Sequence, residues 1–182
     1  MFNNKMITGI TLLLVFLFNP ASRSQTMDHK NHNHKSHYIP EVNNTIKALS
    51  EEEVSQVLNG DGMGLAKAAE LNSYPGPKHV LELSSELGLT QEQKEKTESF
   101  IVSVITEAKK LGELIVEKEK ELDLLFINNN ADEKIIQDKV LARSELRGRL
   151  RLAHLNAHLK QKEILTKEQI NAYNRLRGYN NN

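Results

Sequence analysis

No cysteine and no tryptophan occur in the 182 residues, and aromatic side chains make up only 5% of them. The first absence excludes disulfides, thiol nucleophiles and a lipid-modified cysteine. The scarcity of aromatics, beside a second half rich in Leu, Ile, Glu and Lys, points away from a deep globular core and towards a thin helical structure. No G-x-S-x-G and no H-E-x-x-H occurs. The loop Gly60-Asp61-Gly62-Met63-Gly64 lacks the Gly-Lys-Ser/Thr ending of a phosphate loop and the acidic repeat of an EF-hand. A long thin hairpin offers no enclosed pocket to perturb charged pairs, so the chain is not expected to be an enzyme. Charge of one sign is also missing, with 24 basic and 24 acidic residues. That balance gives no prior for nucleic acid or a membrane surface.

The longest apolar run is Met6 to Phe18, which is 13 residues. A spanning helix needs about 20. Lys5 precedes the run, Asn19-Pro20 ends it, and the small residues Ala21, Ser22 and Ser24 follow. This is the order of a secretory signal peptide over 1–24, cleaved near Ser24, so the expectation is an exported, periplasmic protein without a membrane span. Removing Lys5 and Arg23 from the 24 basic residues leaves 22 against 24 acidic ones. Residues 25–49 read as a histidine-rich disordered linker, polar through Met27 to His37. Residues 50–182 form the expected helical domain.

Within it, Ser50 followed by Glu53 is a capping box, with Gly60 as the stop. Leu65 to Leu71 is alanine-rich and expected to be helical. Tyr74-Pro75-Gly76-Pro77 is a turn, and Pro77 opens a helix expected to reach Gly88. Thr90 and Gln93 start a helix of about 35 residues, with apolar positions at Ile101, Val104, Ala108, Leu111, Ile115, Leu122 and Leu125. Asn128-Asn129-Asn130 breaks it, and Asp132 starts a second long helix to about Glu163. A connection this short makes the two antiparallel neighbours. A last helix starts at Thr166, with Gln169 three residues on. The predicted fold is all-α, a long antiparallel helical hairpin with short flanking helices.

The second arm carries two apolar stripes. Ile135, Leu146, Leu150, Ala153, Ala157 and Ile164 share one; Leu141, Leu152, Leu155 and Leu159 share another, roughly opposite. Both need covering, one by the hairpin partner and the other by the short helices of the same chain or by a second subunit, and a homodimer is the favoured expectation.

Leu89-Thr90-x-x-Gln93 and Leu165-Thr166-x-x-Gln169 are two copies of one pattern. Behind an exported leader, the first opens the long helix of the hairpin and the second opens the terminal helix. With Tyr74-Pro-Gly-Pro-Lys-His-Val-Leu-Glu-Leu83, Ala153-His-Leu-x-Ala-His-Leu159 and Tyr173-Asn-x-Leu-Arg-Gly-Tyr179, this order resembles the Spy/CpxP family of periplasmic stress proteins over about residues 60–180. The resemblance implies a curved hairpin and a cradle-like homodimer. It also implies a basic, partly apolar concave face that holds unfolded envelope proteins without ATP. Arg143, Arg147, Arg149, Arg151, Lys160 and Lys162 are the candidate client-binding residues; the plainer alternative is a solvated face paired to neighbouring acids.

A second expectation is heavy-metal binding, as a buffer or a sensor. His154 and His158 are four apart, so both imidazoles leave one helix face and can share an ion such as zinc, copper or nickel. Antiparallel pairing sets them near Ile105 and Ile101, with Glu98, Glu107 and His79 as candidate further ligands and Met63 as a remote one. Metal sensors related to the family use histidines with carboxylates and methionines. His29, His32, His34 and His37 are a separate flexible metal candidate. The alternatives are interfacial histidines and a soluble spacer. No cofactor is required by either function.

Overall fold

A computed structural model describes residues 35–179 of the chain. The predicted signal segment and His29, His32 and His34 lie outside the described residues. The described part is all-α. A 3-10 turn at Pro40–Asn43 precedes six helices: α1 (Glu51–Asn59), α2 (Lys67–Glu70), α3 (Pro77–Glu82), α4 (Gln91–Ile127), α5 (Glu133–Ile164) and α6 (Lys167–Leu176). Helices α4 and α5 form the predicted hairpin, and α1 and α3 pack along α4. Among the described residues no helix is long and apolar enough to cross a membrane.

The helix starts follow from local chemistry. Ser50 Oγ accepts the Glu53 amide at 3.2 Å while Glu53 accepts the Ser50 amide at 2.9 Å. Thr90–Gln93 and Thr166–Gln169 form the same reciprocal box. Gly60 ends α1 in the left-handed region at φ 72°. Two expectations were too long. The helix expected over 65–71 is one turn, Lys67–Glu70. The one expected to reach Gly88 stops at Glu82, and turns carry the chain to Gly88, which has φ 59°.

The folded part begins inside the stretch expected as a linker, 25–49. Ile46 is 2% exposed and Leu49 is buried beside it. The two side chains join Val57, Leu111, Ile115 and Leu150 in one core. The Lys47 amide donates to Asp123 at 2.7 Å. Polar composition hid two apolar anchors that a single turn presents to the same groove.

A second core gathers Val80, Leu87, Leu89, Leu165 and Tyr173 around the start of α4 and the end of α5. Here the two L-T-x-x-Q motifs meet. Gln93 Nε2 donates to the Ile164 carbonyl at 2.7 Å and to Gln169 Oε1 at 2.9 Å. Gln169 Nε2 donates back to Gln93 Oε1 at 3.0 Å and to the Leu87 carbonyl at 3.3 Å. Each glutamine therefore caps its own helix and ties three chain segments together. Gln93→Ala is expected to cost about 2 kcal/mol in urea unfolding, because it orphans partly buried partners as well as the cap. Thr90→Ala should cost only about 1 kcal/mol. Equal costs would mean that the cross-helix bonds contribute nothing.

Candidate functional site

The four-residue spacing puts His154 and His158 on the face of α5 that meets Ile101, Val104 and Ile105 of α4. The Gly60–Gly64 loop, α2 and the start of α3 close over that face. Between them lies a cavity of about 650 Å³. Along α4 it falls between the two cores, since one uses Leu89 and the other begins at Ala108.

His154 is 9% exposed, and its Nε2 is buried without a hydrogen-bond partner. Its Nδ1 lies 4.0 Å from where a Cβ on Gly62 would stand. Burial, and then the neighbouring His158, hold the His154 pKa below the usual histidine range. His158 Nδ1 is 2.7 Å from the Tyr74 carbonyl. A carbonyl only accepts, so Nδ1 carries the proton. The His158 ring lies against Gly76, where a Cβ would come within 2.9 Å of Cε1.

The acid beside His158 is Glu70, 3.6 Å from Nδ1. Glu70 Oε2 accepts the Gly76 amide at 3.0 Å, and Oε1 accepts the Tyr179 hydroxyl at 3.1 Å and the buried Tyr173 hydroxyl. Arg177 stands 3.8 Å away. Burial and Glu70 push the Tyr173 pKa well up, so this phenol remains a donor. Glu70 was not among the residues expected from sequence. Its sequence signal is slight: it is the single acid between Asp61 and Glu82, in an alanine-rich stretch.

The predicted ligands separate. His79 lines the cavity with His154 and His158 but bonds Glu82 of its own helix at 2.9 Å. That bond draws the Glu82 carboxyl below its usual range. Met63 stands at the rim. Glu98 is exposed and does not line the cavity. Glu107 points elsewhere, 3.8 Å from Arg149 and beside a smaller groove that also reaches Lys160. The reason is rotational: residues of α4 that contact α5 alternate with residues turned to solvent, and Glu98 falls on the latter. Among the described residues no three His, Cys, Asp or Glu side chains come together in a way that could hold a metal ion. His37 is exposed, its ring centre 4.0 Å from that of Tyr38.

The predicted basic face also divides. Arg143 is paired with the buried Glu119. Lys162 sits 3.5 Å above the Tyr74 ring. Both hold the fold. Among the described residues, Arg147, Arg151 and Lys160 have no ion-pair partner. Beside them runs the second apolar stripe of α5, with Leu141, Leu152 and Leu159 at 59%, 55% and 47% exposure.

The chain matches no family model, and no curated protein and no solved structure is significantly similar to it. The resemblance to Spy/CpxP proteins therefore rests on the order of its motifs.

Proposed function

We propose that the chain is an ATP-independent holding protein of the cell envelope, which captures apolar, acidic stretches of unfolded polypeptide on the outer face of α5. The observation that carries this reading is the exposed stripe of Leu141, Leu152 and Leu159. From Leu141 to Leu159 the stripe runs about 27 Å along the helix. Gly148 lies in its path, and Arg151 and Lys160 border it. Each leucine offers modest apolar area, so single contacts are weak and sequence-tolerant, while several along one segment add up. The bordering cations favour acidic segments and raise encounter rates without demanding fixed geometry. Export, read from Lys5 and Met6 to Phe18, supports the compartment. On the hairpin the metal-binding alternative is left with a histidine pair, and two ligands hold an ion weakly; His29, His32 and His34 of the tail lie outside the described residues.

The test is suppression of aggregation of a chemically unfolded client diluted into buffer. Leu152→Glu/Leu159→Glu should raise the concentration needed for half-suppression roughly fivefold or more, equivalent to about 1 kcal/mol. Helical content should not change, because both side chains are exposed. Unaltered suppression would sink the reading. If light scattering finds wild-type dimers that the double substitution splits, the stripe is an interface between copies instead.

A further inference from the structure

We propose that the cavity over the hairpin binds a small amphipathic carboxylate, its head at His154 and its apolar body against Ile101, Val104 and Ile105. The site is separate from the leucine stripe, which lies on roughly the opposite side of α5. It does not depend on the holding function.

Four observations converge. The cavity volume of about 650 Å³ is that of a small-molecule site. Its floor is aliphatic where α4 and α5 face each other. Its deeply buried imidazole is His154, with Nε2 sealed in the interior and Nδ1 towards Gly62 at the rim. The rim is also strained: Met63 has φ 43°, in the left-handed region that disfavours a side chain. Such residues cluster where loops meet ligands.

The chemistry of the head follows from the imidazole. His154 is kept neutral by burial, so it has one N–H. With Nε2 sealed from any acceptor, a proton there would be a buried donor without a partner. A bare lone pair is the cheaper orphan, so the proton sits on Nδ1, towards Gly62 and the rim. The ring then donates one hydrogen bond into the cavity, which an acceptor must take. Lys67 and Lys78 line the mouth, and neither has an ion-pair partner among the described residues. Of the acids at the cavity, Glu70 is already saturated by Gly76, Tyr173 and Tyr179, leaving Asp61 against two lysines. An anionic acceptor is therefore favoured over a cation.

The experiment titrates sodium decanoate into the full chain by calorimetry, beside decanol and zinc. Wild-type protein should bind decanoate with a micromolar dissociation constant, and decanol at least about tenfold more weakly. Ile105→Trp fills the cavity from a partly exposed wall position. His154→Phe keeps the ring and removes the donor. Each should weaken decanoate binding at least about tenfold. His154→Phe should also melt higher, since it removes the orphan nitrogen, which separates lost binding from lost folding. Leu152→Glu/Leu159→Glu should bind as wild type does. The proposal is overturned by absence of wild-type binding at millimolar decanoate, or by binding that survives both cavity substitutions. Decanol binding as tight as decanoate also overturns it. So does zinc binding that His154→Phe abolishes in a protein that ignores decanoate.

Discussion

Gly112→Val is expected to destabilise the protein by more than about 3 kcal/mol in urea unfolding, the scale of severe overpacking. In an exposed helix interior, replacing glycine by alanine gains up to about 1 kcal/mol, because glycine loses more backbone entropy on folding. Position 112 reverses that sign. A Cβ there would stand 2.2 Å from the Val57 carbonyl oxygen and 2.9 Å from its carbon. These are backbone atoms of the last turn of α1, so no side-chain rotation relieves the clash. Helix α1 would have to lift from α4 and would expose Val57, Ile46 and Leu49, all now buried. Gly148 is the control. It is helical too, yet a Cβ there meets nothing within 4 Å. Gly148→Ala should therefore stabilise by up to about 1 kcal/mol. If the two glycines respond alike, α1 is not seated on α4 as described.

Glu70→Leu is the second large effect, with an expected loss of about 3 kcal/mol. The carboxylate accepts from one backbone amide and two phenols, and three helices meet around it. Leucine fills similar space but leaves the fully buried Tyr173 hydroxyl and the Gly76 amide without acceptors. Hydrogen bonds to a charged partner are each worth about 1.5–3 kcal/mol. Glu70→Gln should fall between, since it keeps an acceptor but not the charge. A double-mutant cycle with Tyr173→Phe isolates the pair, and a coupling above about 1 kcal/mol is expected. With no tryptophan in the chain, near-ultraviolet circular dichroism reports directly on the tyrosines. Additive losses in the cycle would show that Glu70 does not hold α6 through Tyr173.

The residues that could be read from sequence share one property: their partners are close in the chain. Ser50 with Glu53, Thr90 with Gln93 and Thr166 with Gln169 are each three apart. Their caps appear where expected. The apolar spacing of Val104, Ala108, Leu111 and Ile115 placed the α4 face correctly, and Asn128 to Asn130 placed the turn. The histidine pair was legible as a pair, and its neighbours Ile101 and Ile105 followed from the hairpin register. Its acid was not. Glu98 and Glu107 sit at the right height along α4 but at the wrong rotation. Glu70 arrives from the short helix α2, 88–109 positions away from His158, Tyr173 and Tyr179, which it contacts.

By itself, then, the sequence determined the helices, their caps, the hairpin and the second leucine stripe, because local backbone hydrogen bonds and a 3.6-residue period are written in neighbouring residues. Only the tertiary structure decided that Gly112 admits the backbone of α1, that Ile46 and Leu49 belong to the core, and that two threonine–glutamine caps clasp each other. It also decided that a cavity opens beneath the Gly60–Gly64 loop with His154 unpaired inside it. Those outcomes depend on the rotation and height at which separate helices meet. Side-chain volumes and backbone clearances across the interface set both, and no short stretch of sequence contains them.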